Sequence, residues 1–489
     1  MHIHSSRKAS GMARRAAAAV VAACFFLATV LATPTARAGM FSFDLKDERE
    51  LGEKFNAIIR ARMPLIEDTE INDYVTSVVD RIVRIMPPQP FSFNVAIVNN
   101  NAVNAFAGPA GYVFVFTGLM LSMEHESEMA GVLCHELAHV SQRHIAKRMG
   151  EIQALSIGQL VGVLAGVVLG QTTGNRDLGA ALAVGSQAAT AQAYLKYSRD
   201  DEREADQVGM NYLVAAGYPP RGLVEAFETM RKLRWMQGGG DIPTYLSTHP
   251  GLDERMSYLK DRLGKLPAAV QARKDDDTAF KRAQMLVRAR YTDPKNAVSY
   301  FRKLGDKATC LDKLGLAIAL SRSMEDVRQA KPAFEEALAC GGGDALVLRE
   351  SGRFFLKIRD FVRAKALLEA ALRANPRDID ANYEYGRMLA QEGNYKAAVS
   401  YLEQVRLRVP ENGEIRATYG QVLGQAGDVF HAYLNLAYAA IYDNNPRQVK
   451  FQMDKAKAAA KTDADRRELA KLEETFKKRS EYMGKKAFE

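Results

Sequence analysis

His135 and His139 lie four residues apart, so on a helix they stand about 40° apart around the axis and one turn apart along it. Two imidazoles at that spacing can meet one metal ion. Glu136 follows the first histidine directly, which sets a carboxylate beside the metal, where it takes a proton from bound water instead of ligating. This is the HExxH pattern, with zinc as the metal and the glutamate as general base. Within residues 131–140 Glu136 is the one fully charged side chain, so Val132, Leu133, Leu137 and Ala138 can bury the helix and hold the ligands still. The bland alternative is a chance match on an amphipathic helix whose histidines face solvent or are satisfied in a core. The uncharged flanks favour the metal.

Hydrolytic zinc needs a third protein ligand and a position open to water. Gln142 and Ile145 stand where the extended metzincin motif needs glycine and histidine, which excludes that type. His144, five residues after His139, points well away on a continued helix and is read as structural; His125 is read as a surface residue. The candidates are Glu202 and Glu204. Glu202 shares an inward helix face with Ala205, Asp206, Gly209 and Leu213, whereas Glu204 lines up with Gln207 and Asn211, so Glu202 is the better ligand. Asp206, one turn on, can accept the outer ring N–H of a ligating histidine. An acidic helix start alone would be an ordinary dipole effect; with both histidines present, ligation is preferred.

Several elements must position these residues. The stretch 44–60 is helical with a Leu51, Phe55, Ile58, Ile59 face, and Asp68 or Thr69 caps a second helix that ends before Pro87 and Pro88. Phe91, Phe93, Val95 and Ile97 alternate with polar residues as a strand, and 112–116 is a second one, so a small antiparallel sheet precedes the metal helix, expected over 124–149. The apolar stretch between Ala154 and Gly170 sits at the lower limit for a membrane span and reads either as a surface segment touching membrane or substrate, or as a buried hairpin. Ser198 caps the helix that carries Glu202. Residues 265–277 are polar enough for a linker.

The second half repeats. Gly352, Gly386 and Gly420 lie 34 apart, as do Ala364, Ala398 and Ala432, and Leu368, Leu402 and Leu436; Pro376 and Pro410 keep the same period. This is the tetratricopeptide period, with glycine in the first helix and alanine in the second so that helices pack closely. Ala330, Phe334 and Ala337 extend the pattern backwards by one unit, with Gly315 out of register, and 447–478 reads as a capping helical pair. The expected division is a leader over 1–38, a metal-binding domain over 39–264, a linker over 265–277 and the repeat superhelix over 278–489.

The leader assignment rests on Arg7, Lys8, Arg14 and Arg15 before an apolar run, then Ala36-Arg37-Ala38 as a cleavage site; an uncleaved anchor is the alternative. The formal charge of +9 includes five basic leader residues, so the remainder carries about +4, which gives no case for nucleic acid. Export implies an oxidising compartment. Cys310 would start one helix of a pair and Cys340 end its antiparallel partner, and geometry decides whether they bridge.

The run His135-Glu136-Leu137-Ala138-His139 with Arg143-His144, then Tyr197-Ser198-Arg199 and Glu202 four residues before Asp206, resembles the HtpX and Ste-type gluzincin metallopeptidases. The leader, Asn104-Ala105-Phe106-Ala107 ahead of Gly111-Tyr112-Val113-Phe114, Ser247-Thr248-His249-Pro250 and the repeats make the chain similar to the BepA-like branch of that family. The resemblance implies a mainly α, α+β protease domain followed by an α-solenoid, one Zn2+ per chain on His135, His139 and Glu202, catalysis by Glu136, and outer-membrane protein quality control from the periplasm, soluble or peripheral to the membrane. His249, fixed before Pro250, is the candidate donor to the oxyanion, with Arg255 a weaker one; the rival role is a latch on the open zinc position. Residues 104–107 and the following strand either pair with an extended substrate or are a plain loop and edge strand.

The leading expectation is an endopeptidase acting on unfolded or misassembled proteins, with the repeats docking clients or the outer-membrane assembly machinery. Its competitors are a chaperone-like factor in which the superhelix does the work, and a zinc hydrolase acting on something other than protein.

Overall fold

The computed structural model describes residues 43–151, 156–173, 197–236, 244–323 and 327–483. The expected leader lies outside the described residues. Helix α1 (Leu45–Arg62) opens with a capping box between Asp44 and Asp47 and buries Leu51, Phe55 and Ile59; Ile58 is only half-buried. After β1 (Leu65–Ile66), Asp68 caps α2 (Thr69–Val83), whose Ile71, Val75, Val78 and Ile82 enter the core.

The sheet is mixed, in the order β1-β2-β4-β3, where a purely antiparallel one was expected. Strand β2 (Asn94–Val98) runs parallel to β4 (Tyr112–Phe116), while β3 (Ala105–Ala107) forms an antiparallel hairpin with β4 on the outer edge. The chain leaves β2, skips one strand position and returns through β3, so β4 fills the gap in the direction of β2. A parallel pair requires such a crossover. Strand β2 starts at Asn94 rather than Phe91 because its partner begins at Tyr112; Phe91 and Phe93 instead pack edge to face beside Gly111.

A short α3 (Thr117–Ser122) leads into α4 (Glu126–Ser141), buried along almost its whole length. The expected single helix over 124–149 is two: Arg143 adopts φ +55 and α5 (His144–Glu151) sets off in a new direction. A non-glycine residue there costs on the order of 1 kcal/mol. The Arg143 guanidinium donates to the buried Glu48 carboxylate of α1 at 2.5 and 3.2 Å, which holds the bend.

Helix α6 (Ile157–Thr173) covers most of the apolar stretch and packs on α1 through buried side chains that include Leu160, Leu164 and Leu169. It is a single packed helix, not a hairpin, and among the described residues no helix is long and apolar enough to cross a membrane. Ser198 and Asp201 form the capping box of α7 (Arg199–Ala215), which lies along α4. Then follow α8 (Arg221–Met236), α9 (Thr244–Thr248) and α10 (Leu252–Gly264).

The stretch read as a linker is tied down. It contains α11 (Ala268–Gln271), Arg273 donates to the carbonyls of Val214 and Tyr218, Asp275 pairs with Arg221, and Asp277 accepts from the Glu126 amide at 2.8 Å. From there α12 (Thr278–Tyr291) and α13 (Pro294–Lys303) both pack on α14 (Cys310–Arg322), and four pairs follow, α14 with α15 (Val327–Gly341), α16 (Ala345–Lys357) with α17 (Phe361–Ala374), α18 (Ile379–Gln391) with α19 (Tyr395–Arg408) and α20 (Gly413–Gln425) with α21 (Val429–Tyr442), before α22 (Pro446–Ala459), which packs on α21, and α23 (Asp463–Met483).

The 34-residue spacing has a direct cause in this packing. A Cβ on Gly352 would lie 2.7 Å from Leu368 Cγ, one on Gly386 2.9 Å from Leu402 Cγ and one on Gly420 3.1 Å from Leu436 Cγ, so each periodic glycine seats the periodic leucine of its partner helix. Gly315 is out of register because it seats Phe301, of the preceding pair. A disulfide joins Cys310 to Cys340 with Cα atoms 5.4 Å apart, at the shared end of α14 and α15. Helix α23 returns to pack on α1.

Candidate metal centre

Helices α4 and α7 cross where Gly209 faces the backbone of His135: a Cβ there would stand 3.0 Å from the His135 N and Cα. This close approach brings Glu202 to the two histidines. His135 Nε2 and His139 Nε2 are 3.0 Å apart, and the Glu202 carboxylate lies 3.5 Å from the first and 3.6 Å from the second. His249, at the end of α9, adds Nδ1 at 2.9 Å from Glu202 Oε1 and 3.3 Å from His135 Nε2. Tyr197 stacks on His139 at 3.8 Å and Tyr245 on His249 at 4.4 Å.

Behind these groups stands a layer of partners. His135 Nδ1 lies 2.9 Å from Asp206 Oδ1. Arg255 donates to Asp206 at 2.7 and 2.8 Å and faces Glu202 Oε2 at 2.6 Å, and the Tyr258 hydroxyl donates to Asp206. Arg255 thus sits beside Glu202 with Nε and Nη2 donating to Asp206, and Nη2 lies 3.4 Å from His135 Nε2. Glu136 is 1% exposed; Oε2 accepts the Ala107 amide of β3 at 3.2 Å, and Oε1 makes no hydrogen bond, with His249 Nε2 3.4 Å away.

The electrostatics favour a cation. Burial raises the Glu136 carboxyl above its ordinary range, with His249 opposing. Burial also opposes charge on Asp206, yet Arg255 holds that carboxyl down at about 2. For Glu202 the same burial is outweighed by His249, His135 and Arg255, and its carboxyl is held well below the ordinary range. Burial and Arg255 work against a proton on His135, but Asp206 and Glu202 prevail and lift it to about 9, while burial drives His139 down. One positive charge among the imidazoles is favoured and a second is resisted.

A zinc ion fits this chemistry. Donor atoms of His135, His139, Glu202 and His249 all lie within 4.8 Å of one another, and all four residues are buried. Imidazole nitrogens with one carboxylate are a donor set that zinc prefers. Three carboxylates, Glu136, Glu202 and Asp206, are buried here, and among the described residues Arg255 pairs with Glu202 and Asp206, so a dication balances the site.

The model of peptidase family M48 matches residues 66–263, and a tetratricopeptide repeat model matches residues 355–421. Residues 66–263 are a peptidase family M48 domain. The chain is 29% identical over 259 residues to the beta-barrel assembly-enhancing protease of Yersinia pestis, covering 53% of this chain and 52% of that one. It is 37% identical over 168 residues to the mitochondrial metalloendopeptidase OMA1 of Arabidopsis thaliana, covering 34% and 31%. The chain spans about half the length of the first curated relatives it matches. Among solved structures, MamA AMB-1 overlays at TM-score 0.29 with 20% identity, over 33% of this chain and 96% of that one.

Within the M48 domain the structure gathers His135, Glu136, His139, Glu202, Asp206 and His249 in one buried cluster. Glu204 stays outside it, and His125 caps the far end of α4 against Asp277 at 2.6 Å. Sequence reasoning misplaced His144: it is 1% exposed, with Nδ1 2.8 Å from His139 Nδ1. The bend at Arg143 turns it back, and a helix continued through 149 hides that bend.

Proposed function

We propose that the chain is a periplasmic zinc-dependent endopeptidase that hydrolyses misfolded or stalled outer-membrane proteins, its repeat superhelix docking clients or the assembly machinery. The observation that carries the reading is the buried donor set of His135, His139 and Glu202 with Glu136 beside it in an M48 domain; the relatives named for beta-barrel assembly supply the substrate class. Bound zinc supplies a water whose pKa falls towards ~7 and polarises the scissile carbonyl. Glu136 takes the water's proton and passes it to the leaving amine. The Ala107 amide aims its carboxylate, and β3, at the sheet edge, offers an extended substrate backbone a strand to pair with. Asp206 orients His135, and Arg255 keeps Asp206 and Glu202 ionised.

His249 supports the latch in preference to the oxyanion donor, because its Nδ1 lies among the ligand atoms. Zinc held by His135, His139, Glu202 and His249 together would leave no position for water, so His249 would have to move aside for turnover. His249→Ala should then raise turnover of unfolded polypeptide; lost turnover would restore the donor role. The same crowding favours a second reading, in which hydrolysis is rare and the superhelix acts as a chaperone. Glu136→Gln separates the two, since a binding function survives it.

The deciding experiment is zinc per chain by elemental analysis of wild type, Glu202→Gln and Glu204→Gln. One zinc, lost with Glu202→Gln and kept with Glu204→Gln, is the expected result. No zinc in the folded wild type would defeat the enzyme reading and leave the repeats as the function.

A further inference from the structure

His135 and His139 are oriented by unlike partners. Both point Nε2 into the cluster, and a metal-facing nitrogen carries no proton, so each ring holds its proton on Nδ1. His135 donates that proton to the buried Asp206 carboxylate. His139 meets another imidazole, His144 Nδ1 at 2.8 Å. Nδ1 of His144 must therefore accept, which leaves its proton on Nε2, and Nε2 lies 3.1 Å from Glu204 Oε2. A single proton arrangement satisfies every group: His139 donates to His144, and His144 donates to Glu204.

Geometry shows that this placement is built. On an uninterrupted helix, residues five apart lie about 140° apart around the axis, and His144 could not meet His139. The left-handed Arg143 produces the turn, and Glu48 of α1 anchors Arg143. Glu204 projects from the face of α7 opposed to Glu202, with its side chain 46% exposed. One helix thus sends Glu202 to the donor cluster and Glu204 behind the cluster to the back of His139.

We propose that His144 is a positioning residue for the metal: with Glu204 behind it, it fixes the tautomer and ring orientation of His139, as Asp206 does for His135. This rests on His139 being a zinc ligand. Partners of this kind contribute roughly 10- to 100-fold to metal affinity. The relay ends in a half-exposed carboxylate, so its members should matter less than Asp206.

The test is zinc affinity by chelator competition on the full chain. His144→Ala should weaken zinc about 10- to 100-fold, Glu204→Gln by less than that, and Asp206→Asn by more than Glu204→Gln. His144→Gln, whose side-chain oxygen can accept from His139, should recover most of the loss, which filling the space alone does not do; His144→Leu is the packing control, and the Gln–Leu pair replaces His144→Ala if the latter does not fold. In a His139→Ala background, His144→Ala should cost nothing further. Affinity in His144→Ala or His144→Leu within twofold of wild type would overturn the proposal while leaving the zinc site intact. Failure of wild type to bind zinc would instead defeat the reading on which the proposal rests.

Discussion

Among the described residues, two clusters of buried charged side chains, one around Glu202 in the M48 domain and one around Arg349 where the first repeat helices meet α2, satisfy their carboxylates differently. Arg349, with 3% of its side chain exposed, pairs with Glu70 at 2.7 Å and with Glu350 and Asp378 at 2.9 Å. Arg290 pairs with Asp68 and Glu350, and Arg353 with Glu384 at 2.8 Å. Burial opposes charge on Glu350, yet Arg290, Arg353 and Arg349 hold its carboxyl far below the ordinary range. Each of these carboxylates meets a guanidinium, and no imidazole stands among the named groups. The Glu202 cluster sets three carboxylates against one guanidinium and fills its centre with imidazole nitrogens that a metal can use. A carboxylate set among imidazoles marks the chemical site, and carboxylates that each meet a guanidinium mark a joint between elements.

Removing zinc should give the largest effect and act on one cluster only. Binding confined to the folded state adds about 4 kcal/mol when free metal exceeds Kd a thousandfold. A chelator should abolish turnover and lower hydrogen-exchange protection on α4 and α7, with α16 to α19 unchanged. Equal loss in both regions would show that the Arg349 cluster depends on the metal-binding one. Arg349→Met is the converse. Leaving Glu70, Glu350 and Asp378 without their shared partner should destabilise by about 3–5 kcal/mol, read from denaturant midpoints, with zinc affinity unchanged in the molecules that remain folded.

A smaller pair of changes sharpens the contrast at single glycines. Gly209→Ala and Gly352→Ala each force a methyl into a closed contact, at about 1–3 kcal/mol. The first meets the backbone of His135 at 3.0 Å, and the second meets the side chain of Leu368 at 2.7 Å. Both should lower the denaturant midpoint, and only Gly209→Ala should weaken zinc. Loss of zinc affinity in Gly352→Ala would show that the two regions are coupled.

What was legible in the sequence follows the same division. Local rules reach the i, i+4 histidines, the face that carries Glu202, the cap at Ser198 and the 34-residue glycine–leucine register, because each is settled within a helix or between neighbouring helices. The parallel pairing of β2 with β4 depends on a strand inserted after both ends are made. The inward turn of His144 depends on the backbone of Arg143, held by Glu48 from 95 residues earlier. Arg255 took its place behind Glu202 through Asp206 of another helix, a carboxylate that Tyr258 of its own helix also holds. Polarity made 265–277 look free, whereas its charges are used in pairing with α4, α7 and α8.

That last segment supplies the smallest prediction, at the junction of the two regions. His125 Nδ1 lies 2.6 Å from Asp277 Oδ2, with 37% of the histidine side chain exposed. The hydrogen bond to Asp277 raises the His125 pKa, burial opposes it, and Asp275 and Glu124 add to the rise. A folded value above the unfolded one means that the contribution is complete below pH ~6.5 and fades as pH climbs through the folded value. Exposure and salt limit it to less than about 1 kcal/mol. Between pH 6 and pH 9, amide exchange at 273–277 should quicken in wild type relative to His125→Gln; identical profiles would show that the pair does not hold the segment. Because His125 caps the helix that carries His135, the same two proteins also test for communication. If the step at 273–277 is accompanied by a wild-type change in zinc affinity that His125→Gln lacks, the junction transmits to the metal-binding cluster.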